Sequence, residues 1–219
     1  NTWPDAAITP YRSEKNSNWE GAYRVPAMVR WPGNIPAGEV SNDVMSHLDW
    51  LPTLMAAVGE DDIVEKLKQG HTVEGKRYRV HLDGYNFLPY LTGQAERGPR
   101  QVFHYLDDSG MPVGVRVGDW KVVYAEQRAQ TMALWAEPMV TLRLPKIFNL
   151  RRDPFERADG NSNTYWDWMI DKAPQIYLGL ATTGQFLQTF KEYPPSQRAD
   201  SWSVDKLTEA LLRQSEQAR

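Results

Sequence analysis

Cysteine is absent from this chain of 219 residues. Disulfides, cysteine-ligated zinc and a cysteine nucleophile are therefore excluded within it. Long apolar runs are also missing, since no stretch reaches the roughly 18 residues that predict a membrane-spanning helix. Neither sign of charge dominates, because the formal net charge is -3. With no basic surface and no spanning segment, we expect neither nucleic acid nor a membrane as a partner. No signal-peptide pattern is visible.

Aromatic residues, in contrast, are plentiful. The chain carries 9 Trp and 10 Tyr. These residues either supply large packing areas with a polar edge or line a pocket for a ring-bearing substrate. The hydrophobic fraction of 41% and the charged fraction of 24% are ordinary for a globular protein. The length suits one large domain or two small ones.

The first sixty residues contain one strand and one helix by pattern. Residues 23–31 are mostly apolar, and they lie between Gly21 and the breaker pair 32–33, so they predict a strand buried in a sheet. A helix capped by Asp49 and ended by Gly59 is predicted next. Its apolar residues recur at helical spacing: Leu51, Leu54, Met55 and Val58. One such unit does not bury both faces of an open sheet, so we expect the edge of a larger α/β body.

The second half of the chain changes to consecutive strands. Strands are predicted over residues 101–106, 113–117, 120–124 and 146–150. Gly118-Asp119 is a hairpin dipeptide, and strands without intervening helices indicate an antiparallel sheet. Residues 125–145 are a long connection, either a helix or an irregular lid. Helices are predicted over 165–176 and 185–190 and after Ser203.

The most informative segment is the lysine-bearing loop at residues 15–26, which runs into the predicted strand. Its sequence is Lys-Asn-Ser-Asn-Trp-Glu-Gly-Ala-Tyr-Arg-Val-Pro. This run resembles the Lys-x-x-x-(Trp/Tyr)-Glu-Gly-(Gly/Ala)-x-Arg-x-Pro segment of the sulfatase family. In that family the lysine contacts the sulfate group that is cleaved.

Five further cues follow in the order of that family, over residues 1–157. They resemble its strand after the loop, its Asp-x-x-Pro-Thr-Leu helix, its Asp-Gly…Leu-x-Gly passage, its Arg-x-Gly-x-Trp-Lys hairpin and its Leu-x-x-Asp-Pro-x-Glu turn. They lie at residues 24–33, 47–54, 83–93, 116–121 and 150–156. The tail over 165–195 is similar to a bacterial arylsulfatase subgroup. No single cue is specific, but their order is.

The resemblance implies a fold and a place in a larger protein. It implies an α/β protein of which this chain, α+β by itself, is the C-terminal portion. Residues 1–98 would complete the edge of the sulfatase catalytic domain. Residues 99–219 would form a subdomain in which an antiparallel sheet of about four strands packs with helices. The missing N-terminal sulfatase segment would be the partner of this chain, in a periplasmic or secreted protein.

The resemblance also implies a chemistry. Sulfatases hydrolyse sulfate esters with a formylglycine made within a Cys/Ser-x-Pro-x-Arg motif, and they bind calcium or magnesium through Asp and Asn side chains. This chain contains neither that motif nor the paired metal-binding aspartates nor an Asp-Asn-Gly segment. We therefore assign no metal ligand here, and we expect the isolated chain to be inactive.

Lys15 is the catalytic position that the resemblance carries over to this chain, as a contact to the sulfate group. A lysine is a compact cation with three donors, suited to a sulfate oxygen in a dry site. The alternative is a solvated loop lysine. Trp3, Tyr11 and Trp19 are candidates to border the substrate, and buried packing is the alternative for each.

Two other functions remain open from the sequence. One is a phosphonate-ester or phosphate-ester hydrolase of the same superfamily, since formylglycine also serves some phosphonate hydrolases. The other is a non-catalytic binding module rich in aromatic residues. Against this module stands the single strand and helix unit, which would leave a buried-type strand exposed to water.

Overall fold

The computed structural model of the protein describes residues 9–195. Its helices are α1 (Glu20–Tyr23), α2 (Trp50–Ala57), α3 (Ile63–Gln69), α4 (Leu88–Leu91), α5 (Ala158–Asn161), α6 (Tyr165–Asp171) and α7 (Ala173–Glu192). Its strands are β1 (His71–Val73), β2 (Lys76–Tyr78), β3 (Val102–Leu106), β4 (Pro112–Val117), β5 (Trp120–Glu126) and β6 (Val140–Asn149). Short 3₁₀ turns occupy His47–Asp49 and Thr131–Trp135. Over residues 9–195, no helix is long and apolar enough to cross a membrane. The helix predicted after Ser203 lies outside the described residues.

Strands β3 to β6 form a four-stranded antiparallel sheet in chain order, which confirms the predicted sheet. The connection Gly118-Asp119 joins β4 to β5 with Val117 opposite Trp120, and Gly118 has a φ of +56°. Glycine adopts this left-handed conformation without a side-chain clash. Strand β6 begins at Val140, earlier than predicted, because its ladder with β5 resumes beyond an irregularity.

The main core lies between the sheet and the C-terminal helices. Its buried members are Trp19, Val115, Val122, Val123, Ile147, Phe148, Leu150, Tyr165, Met169 and Ile176. Helix α7 approaches the sheet closely at Gly179, where a side chain would place its first carbon 2.7 Å from Cγ2 of Val122. The glycine therefore sets the distance between helix and sheet.

The predicted helices over 165–176 and 185–190 have the wrong boundaries. Helix α6 ends at Asp171, and α7 begins with Pro174 in its first turn, where a missing amide hydrogen costs little. Helix α7 then continues through the predicted gap to Glu192. Burial of its middle against the sheet outweighs the low helix propensity of its glycines.

The strand predicted over residues 23–31 is wrong for this chain. Residues 20–23 form the short helix α1, and residues 24–31 have no regular secondary structure. The apolar side chains of the segment are exposed, with Met28 at 97%. A strand needs the hydrogen bonds of a neighbouring strand, and none of residues 9–195 pairs with this segment.

Asp49 does not cap α2 with its side chain as predicted. Asp49 occupies the N-cap position of α2, but its side chain makes no capping bond there. Ser46 instead caps the preceding 3₁₀ turn, and the Ser46 amide donates to Oδ2 of Asp49 at 2.7 Å, which completes a capping box. The buried Asp49 carboxylate also accepts from Nε of Arg100 at 2.8 Å and from the amide of Tyr85 at 2.8 Å. Asp49 therefore ties the start of α2 to the approach to β3. Gly59 ends the helix region with a φ of +94°, as predicted.

The charged residues 60–80 had no predicted structure. They form α3 and the β1–β2 hairpin, whose turn holds Glu74 and Gly75 at positive φ. The helical spacing of Phe87, Leu88 and Leu91 predicts a short helix, and α4 confirms it. Gly93 follows this helix at a φ of +76°. Helices α3 and α4 both pack against α2, and β1 packs against α3.

A buried lysine on β5 connects the sheet to the lysine-bearing loop. Lys121 is fully buried, and its Nζ donates to the carbonyl of Asn18 at 2.7 Å and to Oε1 of Glu20 at 3.1 Å. It also lies 2.7 Å from Oε1 of the buried Glu156, in the turn after β6. The amide of Glu20 donates to Oε2 of Glu156 at 2.6 Å. Three distant parts of the chain therefore meet at one ammonium group.

The two carboxylates of this cluster have opposite pKa shifts. Burial alone would raise the pKa of Glu20, but Lys121 and the hydrogen bonds from Tyr105 and Arg24 lower it to about 2. Burial raises the pKa of Glu156, and Lys121 together with the Glu20 amide offsets this only in part. Glu20 is therefore the carboxylate whose charge stabilises the fold at neutral pH.

Replacing the buried ammonium should strongly destabilise the protein. We expect Lys121→Met to lower the free energy of unfolding by about 3–5 kcal/mol, because two buried carboxylates lose their counter-charge. Lys68, whose side chain is 30% exposed and pairs with the exposed Glu65 at 2.9 Å, provides the control, and Lys68→Met should cost less than about 1 kcal/mol. Urea denaturation measures both, and equal losses would contradict the role of Lys121.

The low pKa of Glu20 predicts a specific acid sensitivity. Its stabilising contribution is complete above the ordinary value of 4.5 and is lost as the pH falls through about 2. The free energy of unfolding should therefore differ between the wild type and Glu20→Gln by about 3 kcal/mol near neutral pH, and the difference should shrink on acidification. Urea denaturation at several pH values measures this difference. A gap that stays constant down to about pH 2 would contradict the assignment.

Candidate functional site

The loop that carries Lys15 has a constrained backbone. Ser13 and Asn16 flank the lysine and have φ values of +60° and +71°, a region that non-glycine residues rarely occupy. The amide of Gly21 donates to the carbonyl of Arg12 at 2.8 Å. A side chain at Gly21 would place its first carbon 2.1 Å from the carbonyl oxygen of Ser13. The loop therefore needs glycine here, and its strain is held in place by the buried cluster behind it.

Lys15 stands exposed at the tip of this loop. Its Nζ lies 5.2 Å from the centroid of the Trp135 ring, within the range of a cation–π contact. No carboxylate of residues 9–195 forms an ion pair with it. Among the residues that the structure describes, Lys15 therefore presents an ammonium without an ion-pair partner to solvent, next to the exposed indole ring of Trp135.

The aromatic candidates have different surroundings. The hydroxyl of Tyr11 accepts a hydrogen bond from Nη1 of Arg24 at 3.0 Å, and its ring lies 6.0 Å from that of Phe155. Trp19 is buried, with the guanidinium of Arg12 3.5 Å above its ring. Trp3 lies outside the described residues. A substrate contact by Tyr11 stays a prediction, whereas Trp19 packs in the main hydrophobic core.

A cleft of about 500 Å³ opens beside the loop. One wall is formed by loop residues 12–14 and the other by residues 126–131 and Leu134, with Trp19 and Lys146 completing the lining. Lys15 and Trp135 each follow a lining residue in the chain. The cleft and the Lys15 ammonium therefore belong to one region of the surface.

Alternating charges run along this cleft. Glu126 accepts from Nε of Arg128 at 2.8 Å and from Nζ of Lys146 at 2.7 Å. Asp159 accepts from the same Lys146 at 2.9 Å and from Arg12 at 2.9 Å. Burial would raise the pKa of Glu126, but its two cationic partners lower it, so the carboxylate is ionised at neutral pH. The row contains three cationic and two anionic side chains and so keeps a net charge of +1, and Lys15 stands outside it.

Sequence reasoning missed the residues of this cleft other than the loop and Trp19. Glu126, Arg128 and Lys146 lie at the ends of strands and within the long connection, whose sequence predicts either a helix or an irregular lid. The alternative of an irregular lid was the one signal that pointed to the region. Which charged residues face the loop depends on the pairing of β5 with β6, which a single sequence does not show.

The divalent metal of the sulfatase resemblance does not fit the described residues. Between residues 9 and 195, no group of three or more His, Asp or Glu side chains could hold a metal ion. The buried or nearly buried carboxylates near the loop pair instead with lysine or arginine side chains: Glu20, Glu126, Glu156 and Asp159. A metal site built on this part of the chain is therefore not supported.

Known proteins match both the sequence and the fold. The sulfatase family model matches residues 6–60, which include the lysine-bearing loop and α2. Human arylsulfatase G is 31% identical over 146 residues, which are 65% of this chain and 25% of that protein. Mouse steryl-sulfatase is 31% identical over 162 residues, covering 67% of this chain and 24% of its own length. The chain thus spans about a quarter of the length of these relatives.

A solved structure agrees with the sequence matches. The PsFucS1 sulfatase from Pseudoalteromonas sp. superposes with a TM-score of 0.66 at 24% identity, over 90% of this chain and 36% of that one. This likeness concerns the fold alone. Taken with the family match at the loop and the identities to curated sulfatases, it leads to one conclusion: this chain belongs to the sulfatase family.

Proposed function

We propose that this chain is the C-terminal portion of an enzyme that hydrolyses sulfate esters and that Lys15 binds a sulfate oxygen of the ester. The observation that supports this most directly is the exposed ammonium of Lys15, which pairs with no carboxylate of residues 9–195 and stands on a loop with two left-handed residues. Residues 1–98 would then complete the edge of the catalytic domain, and residues 99–219 would form the subdomain against which the lysine-bearing loop packs.

Hydrolysis of a sulfate ester is favoured by a cation that is positioned before the reaction begins. Negative charge redistributes over the sulfate oxygens and the leaving oxygen as the sulfur–oxygen bond breaks. An ammonium fixed beforehand stabilises that charge without reorganising at the moment of reaction. The Glu20, Lys121 and Glu156 cluster fixes the base of the loop to the sheet, so Lys15 differs from an ordinary flexible surface lysine.

The remaining catalytic groups would come from outside this chain. We expect a formylglycine nucleophile and a calcium or magnesium ion in the complete protein, with their ligands in the N-terminal sulfatase segment. The exposed apolar run over residues 24–31 supports such a partner. Val25, Met28, Val29 and Trp31 are exposed there, and a contiguous apolar surface of this kind indicates an interaction site.

The two alternatives have less support. The relatives named above are sulfatases, which does not favour a phosphonate-ester or phosphate-ester hydrolase. A self-contained binding module would not explain an apolar segment such as 24–31, which is built like a buried strand and lies exposed.

Removing the Lys15 ammonium should impair turnover and leave the fold intact. In the complete protein, we expect Lys15→Ala to lower kcat/KM for 4-nitrophenyl sulfate by about 10²–10³, because one preorganised donor to the transition state is lost. Lys76→Ala is a matched control, since Lys76 is also exposed and lies 5.0 Å from an aromatic ring, that of Tyr78. Unchanged turnover in Lys15→Ala would make Lys15 a solvated loop lysine.

The chain by itself should not catalyse the reaction. We expect the purified 219-residue chain to release no 4-nitrophenol from 4-nitrophenyl sulfate above the rate in buffer, because a single cation does not replace a nucleophile. Circular dichroism of the same sample establishes that it is folded. Turnover by the folded chain, abolished by Lys15→Ala, would contradict the dependence on an N-terminal segment.

A further inference from the structure

The wall of the cleft opposite the lysine-bearing loop has a constrained backbone, as the loop does. We call residues 127–135 the wall segment. Its residue Thr131 has a φ of +55°, an outlier for a β-branched side chain. Conformations of this kind cost about 1–3 kcal/mol and persist where the surroundings hold them, often at binding sites.

The wall segment is fastened to the loop at its first residue. The amide of Gln127 donates to Oδ1 of Asn18 at 3.1 Å, and its carbonyl accepts from Nε1 of Trp19 at 3.3 Å. The Gln127 side chain holds both ends of the wall segment together. It donates to the carbonyl of Glu137, just after the segment, at 2.7 Å and accepts from the amide of Ala129 at 2.9 Å. Loop and wall therefore form one framework around the cleft.

The lining of the cleft is mostly polar. Two large apolar residues, Trp19 and Leu134, are buried beneath it and leave little apolar surface open. The polar and charged residues of the lining are Arg12, Ser13, Glu14, Glu126, Gln127, Arg128, Gln130, Thr131 and Lys146. A flat hydrocarbon ring would strip water from these groups without pairing them, whereas a ring that carries hydroxyl groups would exchange hydrogen bonds.

Two side chains of the wall segment carry groups that can bind such a ring. The Arg128 side chain is held through its Nε by Glu126, and no acceptor among residues 9–195 occupies its Nη atoms, so these donors point to solvent. Trp135 is 59% exposed, and its ring centroid lies 5.2 Å from Nζ of Lys15. A sulfate oxygen about 3 Å from that ammonium would bring the rest of the ester next to the indole face.

We propose that the wall segment holds the leaving group of the sulfate ester, with Arg128 and Trp135 selecting a hydroxylated ring such as a sulfated hexose over a plain aryl group. The inference rests on the proposed function, because Lys15 must bind the sulfate. Arg128 donates to ring hydroxyls, and Trp135 covers the apolar face of the ring.

The test compares two substrate types in the complete protein. The probes are a set of hexose monosulfates that differ in sulfate position, and 4-nitrophenyl sulfate; released sulfate measures turnover. We expect at least one hexose monosulfate to exceed 4-nitrophenyl sulfate in kcat/KM. Arg128→Ala and Trp135→Ala should each lower kcat/KM for that sugar by about tenfold or more, chiefly through KM. Turnover of 4-nitrophenyl sulfate should change by less than about threefold.

Two further variants separate selection from stability. Met132→Ala alters a side chain of the same segment that is 78% exposed. Both substrates should be unaffected, because a thioether offers neither a hydrogen-bond donor nor an aromatic face to a sugar ring. Trp135→Phe keeps an aromatic face and should restore much of the activity on the sugar. A preference of the wild type for 4-nitrophenyl sulfate, or equal losses on both substrates in the Arg128 and Trp135 variants, would overturn the inference while the sulfatase function stands. A wild type that hydrolyses no sulfate ester would instead overturn the proposed function.

Discussion

The structure around the site depends on burying one ammonium group. Lys121 is removed from water completely, and such a charge is tolerated only when oxygen atoms surround it. Glu20, Glu156 and the carbonyl of Asn18 supply these oxygens. Because the three partners come from the loop and from the turn after β6, meeting this need also fixes where the loop lies on the sheet. The position of Lys15 follows from that constraint.

The charges of the region form two groups with different roles. The buried group around Lys121 decides how the chain is arranged, since a displaced partner would leave a charge unpaired in the interior. The row from Arg12 through Asp159, Lys146 and Glu126 to Arg128 lies beside the cleft, and every member except Asp159 lines it. With three cations and two anions, the row keeps a net charge of +1. Lys15 lies outside both groups, and no carboxylate of residues 9–195 forms an ion pair with it.

The sheet could be predicted from the sequence, and the segment before it could not. Short apolar runs separated by turn residues such as Gly118-Asp119 predict strands β3 to β5, and these signals are local. Residues 24–31 carry an equally clear strand pattern and yet form no strand, because the pattern reports fitness for a sheet and not the presence of a neighbouring strand. Helix α7 shows the reverse case, in which packing on the sheet carries a helix through Gly179 and Gly184.

The sequence by itself determined the turns, the antiparallel sheet, the order of the family cues and the candidate Lys15, because each depends on residues close together in the chain. Tertiary structure alone decided that Lys121 is buried and that residues 127–135 face the lysine-bearing loop. Lys121 and Asn18 are 103 positions apart, and nothing local to either residue indicates the contact. The contact forms because the pairing of β5 in the sheet directs the Lys121 side chain into the interior. A buried ammonium then needs oxygen acceptors, and the Asn18 carbonyl is one of them.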